Sequence, residues 1–157
     1  MNYELNLRTI YFSATHTSEK VAKAISCAVA DEFAVEDITF GELRNPDFAA
    51  DDLLLVAVPV YGGGVAPVVL KRLEAMRGNN TPAVVVVVYG NRNFERAATQ
   101  MTEFLSERGF VVVAAAAFVG EHSYSTEENP VAVGRPNDGD IAEAQRFGEL
   151  IKAKIAG

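Results

Sequence analysis

The sequence predicts an α/β domain, a doubly wound five-stranded parallel sheet with helices on both faces. Three observations predict it. Short β-branched runs alternate with amphipathic stretches along the chain, which implies parallel strands joined by right-handed crossovers. The central runs are apolar without interruption, as strands buried on both faces are. The 157 residues, nearly half of them apolar, suit one domain over 1–157 with one sizeable core.

The first strand is expected over 8–13, a β-branched and aromatic run. Val21, Ile25, Val29 and Phe33 then recur every fourth residue and predict a helix over about 18–33. A weaker strand follows at 35–40 and a strong one at 53–58. Pro67 suits the first turn of the next helix, where its missing N–H costs nothing. Leu70, Leu73 and Met76 give that helix its apolar face, and Gly78 ends it. Residues 83–88 hold five consecutive valines and make the central strand. Phe94, Ala97, Ala98, Met101 and Leu105 mark another helix, with Gly109 as its stop. Residues 110–119 form the last strand. The last helix is expected from Asp140, with Glu143 as a capping-box partner and a stripe of Ile141, Ala144, Phe147, Ile151 and Ile155. The intervening segment 120–139 is long for a connection and reads as functional or mobile.

Composition excludes several classes of function. Fourteen basic and 21 acidic residues leave a net charge of −7, which disfavours general affinity for nucleic acid or anionic membrane. The longest apolar runs fall short of the roughly 18–20 residues that span a bilayer. No signal peptide is readable at the N-terminus. One cysteine cannot form an internal disulfide or hold an iron–sulfur cluster. These points suggest a cytoplasmic protein.

In an open parallel sheet, ligands bind beyond the carboxyl ends of the strands, where strand order reverses. After the first strand comes Ser13-Ala14-Thr15-His16-Thr17-Ser18, leading into a helix. A serine or threonine there ordinarily caps the helix, and a cap needs one hydroxyl. Four within six residues point to an anion, such as a phosphate, held by neutral donors at a helix N-terminus. There is no Gly-x-x-x-x-Gly-Lys-Ser/Thr, so a P-loop nucleotidase is unsupported. After the third strand, Pro59-Val60-Tyr61-Gly62-Gly63-Gly64 joins an aromatic face to three glycines that let backbone approach a flat ligand. After the fourth comes Tyr89-Gly90-Asn91-Arg92-Asn93-Phe94, another glycine turn between aromatics. Taken singly, these two segments read as a turn before a helix and as a helix cap.

Together the three loops resemble those of the flavodoxin family, over essentially the whole chain. The family's phosphate loop reads Thr/Ser-x-Thr-Gly-x-Thr/Ser, and Ser13, Thr15 and Ser18 fall on its hydroxyl positions. His16 stands where the family has glycine, a strained choice if that glycine adopts positive φ. The late Gly134-Arg135-Pro136 is most similar to the flavodoxin half of bacterial flavodoxin–ferredoxin fusion proteins, without the ferredoxin half. The resemblance implies strand order 2-1-3-4-5, which flavodoxin itself exemplifies. It implies noncovalent FMN, with Ser13, Ala14, Thr15, His16, Thr17 and Ser18 at the phosphate. Pro59, Val60, Tyr61, Gly62, Gly63, Gly90, Asn91, Arg92 and Phe94 would flank the flavin.

The expected function is electron transfer between redox partner proteins of ferredoxin or reductase type. The rivals are an NAD(P)H-dependent FMN or quinone reductase, and a flavodoxin-like binding module that has lost its flavin. Oxidation of NAD(P)H and the colour of the purified protein separate them. No catalytic residue and no metal ligand is assigned. Cys27 sits mid-helix and reads as an inert surface thiol. His122 and Tyr124 follow the last strand without a motif, and Asp51, Asp52, Glu127 and Glu128 read as solvated acids.

Overall fold

The alternation of side chains along each strand divides the molecule into two cores. A computed structural model describes residues 5–13, 16–61, 64–89, 95–119 and 138–156. Its strands are β1 (Asn6–Tyr11), β2 (Ala34–Asp37), β3 (Asp52–Tyr61), β4 (Gly64–Val65), β5 (Thr81–Tyr89) and β6 (Phe110–Val119). Its helices are α1 (Thr17–Val29), α2 (Pro67–Leu73), α3 (Glu95–Ser106) and α4 (Asp138–Ala156). The five long strands lie in the order β2-β1-β3-β5-β6, all parallel, as the sequence predicts. The short β4 runs antiparallel to the end of β3.

On one face Leu54, Val56, Val58 and Val85, Val87 meet Val69 and Leu73 of α2 and Ala97, Met101 and Leu105 of α3. On the other, Leu53, Leu55, Ala57 and Val84, Val86, Val88 meet Val21, Ile25 and Val29 of α1 and Ala144 and Ile151 of α4. The period of two therefore places adjacent residues of one apolar run in different cores. At β1 the second face carries Thr9, whose hydroxyl lies 2.7 Å from that of Ser26 on α1. Ser26 in turn donates to the Ala22 carbonyl, so both buried hydroxyls are satisfied.

Several boundaries differ from expectation. Helix α1 stops at Val29, because Ala30 turns extended and leaves Phe33 outside the helix. Helix α2 stops at Leu73, well before Gly78. Beyond it the chain pairs with a distant segment, Arg77 N–H donating to the Pro46 carbonyl and Phe48 N–H to that of Arg77. The buried residues of α2 are Val69 and Leu73, while Leu70 is only partly buried. Helix α4 begins at Asp138, so Asp140 lies inside its first turn and Glu143 is not the partner of a cap there. Asp52 is no solvated acid: it accepts from the Ala49 N–H and lies 3.5 Å from Arg8. Helix α3 ends at Ser106, and Gly109, expected as its stop, follows in the turn beyond it at φ 89°; Cys27 is exposed.

Candidate functional site

The sheet reverses its order between β1 and β3, so the chain leaving these two strands meets at the carboxyl edge. Past β1, Phe12 still donates its N–H to the Ala57 carbonyl at 3.1 Å. Ser13 leaves the ladder, and its N–H goes to the hydroxyl of Thr39 at 2.9 Å. Its own hydroxyl oxygen accepts the Glu19 N–H at 3.0 Å, which satisfies one orphan donor of the first turn of α1. The capping role weighed for these hydroxyls therefore falls to Ser13, six residues upstream of the donor. A hydroxyl that accepts in this way still has its hydrogen to give.

The residue in the N-cap place is His16. Its φ of 64° and ψ of 3° are left-handed, and its side chain makes no cap hydrogen bond. The sequence flags this residue as strained if the family's glycine has positive φ, and φ is positive. Its imidazole is 77% exposed, with Nδ1 3.9 Å from Glu19. Thr17 and Ser18 follow in the first turn, both buried. Ser18 is 0% exposed, and among the described residues its Oγ has no hydrogen-bond partner. A buried hydroxyl left unpaired costs about 1–3 kcal/mol. Placed at a helix N-terminus beside Ser13, it is a donor suited to an anion's oxygen.

Tyr11 lies beneath this turn. Its hydroxyl donates to Glu19 at 3.4 Å, and Lys23 stands 3.6 Å from the same carboxylate. Burial, then the charges of Asp37 and Glu19, push the Tyr11 hydroxyl up to about 12.

The neighbouring strand end is built differently. Pro59 is half-buried and Val60 buried, and Pro59 is in register with Val88 of β5. Val60 pairs with Val65 and Tyr61 with Gly64, so two residues, Gly62 and Gly63, join β3 to β4. Gly64, the third glycine of the segment, lies in β4, where a Cβ would meet the Gln100 side-chain oxygen at 2.9 Å. That oxygen accepts the Val65 N–H at 2.8 Å.

The structure thus brings Ser13, His16, Thr17 and Ser18 together, with Pro59, Val60 and Tyr61 continuing the next strand at the same edge. Ala14, Thr15, Gly62, Gly63, Gly90, Asn91, Arg92, Asn93, Phe94 and the stretch 120–137, with His122, Tyr124 and Gly134 to Pro136, lie outside the described residues. Among the described residues no group of three or more His, Cys, Asp and Glu is placed to hold a metal, and no helix is long and apolar enough to cross a membrane. Sequence reasoning missed Thr39, Asp37 and Arg72 beneath the loop. Their signal was only a polar Asp-x-Thr at the end of a weak strand.

The fold matches solved structures across nearly its whole length. A flavodoxin from the domain Archaea is 16% identical, with a TM-score of 0.66, over 98% of this chain and 100% of that one. The two-electron reduced flavodoxin of Megasphaera elsdenii is 16% identical, with a TM-score of 0.61, over 92% and 98%. A Lactobacillus acidophilus flavoprotein in complex with FMN is 16% identical, with a TM-score of 0.52, over 72% and 93%. No curated protein sequence is significantly similar to this one. The family model for flavodoxin matches residues 10–133, most of the sheet and the whole segment 13–18, and the chain therefore belongs to the flavodoxin family.

Proposed function

We propose that this chain binds FMN noncovalently at the carboxyl edge of its sheet and carries electrons between redox partner proteins of reductase or ferredoxin type in the cytoplasm. The observation that carries the reading is Ser18, a wholly buried hydroxyl without a partner among the described residues, in the first turn of α1, whose Glu19 N–H is capped by Ser13. A phosphate oxygen would give this hydroxyl the acceptor it lacks. Family membership supports a flavin-binding, electron-transferring role. The FMN-bound flavoprotein that shares the fold supports the choice of FMN.

In this reading Ser13, Ala14, Thr15, His16, Thr17 and Ser18 hold the phosphate through hydroxyls and backbone N–H groups. Pro59, Val60, Tyr61, Gly62 and Gly63 on one side, and Gly90, Asn91, Arg92 and Phe94 on the other, flank the ring. When bound, the flavin supplies the redox chemistry, and the chain sets its hold and exposure. The finer kinship with the flavodoxin half of flavodoxin–ferredoxin fusions rests on Gly134-Arg135-Pro136 in the sequence.

The test is a titration of the purified protein with FMN and with riboflavin, followed by flavin fluorescence and absorbance. FMN is expected to bind much more tightly. Equal dissociation constants would sink the phosphate assignment. Thr15→Val keeps the shape and deletes one donor to a charged group, worth roughly 1.5–3 kcal/mol, so FMN affinity should fall about tenfold or more.

A further inference from the structure

We propose that Thr39, oriented by Asp37 and anchored by Arg72, is a positioning residue that sets Ser13 for the phosphate of FMN. The inference rests on the FMN reading above and extends the site to a second strand end. Thr39 is buried, 6% exposed, immediately beyond β2. A threonine hydroxyl has one hydrogen to give and two lone pairs. Here the hydrogen goes to the Asp37 carboxylate, which also accepts the Thr39 N–H at 2.8 Å. With its hydrogen committed, the Thr39 oxygen presents a lone pair to the Ser13 N–H at 2.9 Å. Donation to a carboxylate also makes that oxygen a better acceptor.

The backbone of this corner is pinned from two further sides. Ile38 donates its N–H to the Tyr11 carbonyl at 2.9 Å, tying β2 to the end of β1. Arg72 of α2 donates to the carbonyls of Ile38, at 2.7 Å, and of Thr39, and its guanidinium stands 5.5 Å from the Phe12 ring. Two successive peptides are thereby held, Tyr11–Phe12 by the Ala57 carbonyl and Phe12–Ser13 by the Thr39 hydroxyl. A fixed peptide plane fixes the direction in which the Ser13 side chain leaves the backbone. That direction takes its oxygen to the Glu19 N–H, at the mouth of the α1 N-terminus.

A competing account makes the Asp37–Thr39 contact an ordinary turn that closes β2 and does nothing for a ligand. The two accounts differ in what they predict for a ligand with and without a phosphate. If Thr39 positions the phosphate loop, its loss weakens FMN and spares riboflavin. If it only closes a turn, its loss moves both or neither.

The experiment measures dissociation constants of FMN and riboflavin for the wild type, Thr39→Val and Thr39→Ser. Thr39→Val should weaken FMN about tenfold, on the scale of one hydrogen bond near a charged group, with riboflavin changed less than about twofold. Thr39→Ser, which keeps the hydroxyl, should restore most of the FMN affinity. An unchanged FMN-to-riboflavin ratio in Thr39→Val overturns the proposal. Should Thr39→Val fail to fold, the exposed Asp37 carries the test through two variants of equal charge. Asp37→Asn retains an amide oxygen for the Thr39 hydroxyl and must bind FMN more tightly than Asp37→Ala, and equal affinities overturn the proposal. A wild type with no preference for FMN over riboflavin overturns the phosphate site itself, and this inference with it. Wild-type preference with an unaltered ratio in the variants overturns this inference alone.

Discussion

His16 holds a backbone conformation that a side chain makes costly. Left-handed φ and ψ cost a residue with a Cβ roughly 1–2 kcal/mol, though histidine is among the more tolerant. The imidazole recovers little, being mostly exposed and 3.9 Å from the Glu19 carboxylate. His16→Gly relieves that strain, and the greater freedom of glycine in the unfolded chain offsets part of it, so stability should change by less than about 1 kcal/mol. A glycine lets the loop close on a phosphate without strain, so FMN affinity should rise by about threefold or more on the free-energy scale of that strain. Weaker binding by the variant in an FMN titration would make the imidazole a phosphate donor instead. Only the resemblance exposes this residue in the sequence, because hydrophobic periodicity says nothing about the sign of φ. Ser18 is a different case: hydroxyl density makes it legible, but its lack of a partner is a fact of packing. Tyr11 offers a pH test of the same corner. Its folded-state pKa, pushed up to about 12, exceeds the ordinary value of 10.0. The neutral phenol thus contributes stability that is fully present below pH 10.0 and is lost as pH rises through about 12. Alkaline denaturation of the wild type should steepen in that window, and Tyr11→Phe should flatten it. Coincident stability profiles in the two proteins would remove Tyr11 from the account.

Helices α1 and α4 meet at Gly148. A Cβ there would lie 2.5 Å from the Ile25 carbonyl oxygen and 2.7 Å from the Ala28 methyl. Neither obstacle is the end of a flexible side chain, so the helices would have to part. Alanine gains about 1 kcal/mol over glycine in helix propensity. Overpacking against fixed backbone costs typically 1–3 kcal/mol. Because Ile25 also packs on the sheet, we expect the second effect to win, and Gly148→Ala should be less stable by about 1 kcal/mol in urea unfolding with unchanged m. A stabilised variant would show that the seam is looser than its geometry. The sequence reading of α4 went to its larger apolar residues, and Ile141 and Phe147 prove only half-buried. The seam instead runs through Ala144, Gly148 and Ile151. Hydropathy patterns weight size, whereas close helix contact selects for its absence. The early end of α2 was hidden for another reason: its stop is set by residues 46–48, some thirty positions upstream, and not by local chain chemistry.

At the scale of the whole molecule, the parallel sheet was legible because the central strands carry uninterrupted apolar runs, and strand order followed from the resemblance. Strand β4 was not legible, since two residues carry no periodicity and Gly64 and Val65 pair only because β3 folds back on itself. Net charge is also written in the sequence, and it has consequences at this scale. A charge of −7 disfavours adding negative charge to a bound cofactor, which lowers its reduction potential. The same surplus steers encounter toward partners with basic surfaces. Between exposed charges that attraction decays over a Debye length, about 30 Å at 0.01 M salt and about 3 Å at 1 M. Electron transfer from the reduced, FMN-loaded protein to a basic acceptor protein should therefore slow by about tenfold or more across that range, as electrostatically steered association does. Transfer to a small uncharged acceptor should change little over the same series, because no long-range attraction is there to screen. Stopped-flow rates at graded salt make the comparison directly. A protein acceptor whose rate ignores salt would show that the surplus charge lies away from the face where partners dock, however acidic the molecule is as a whole.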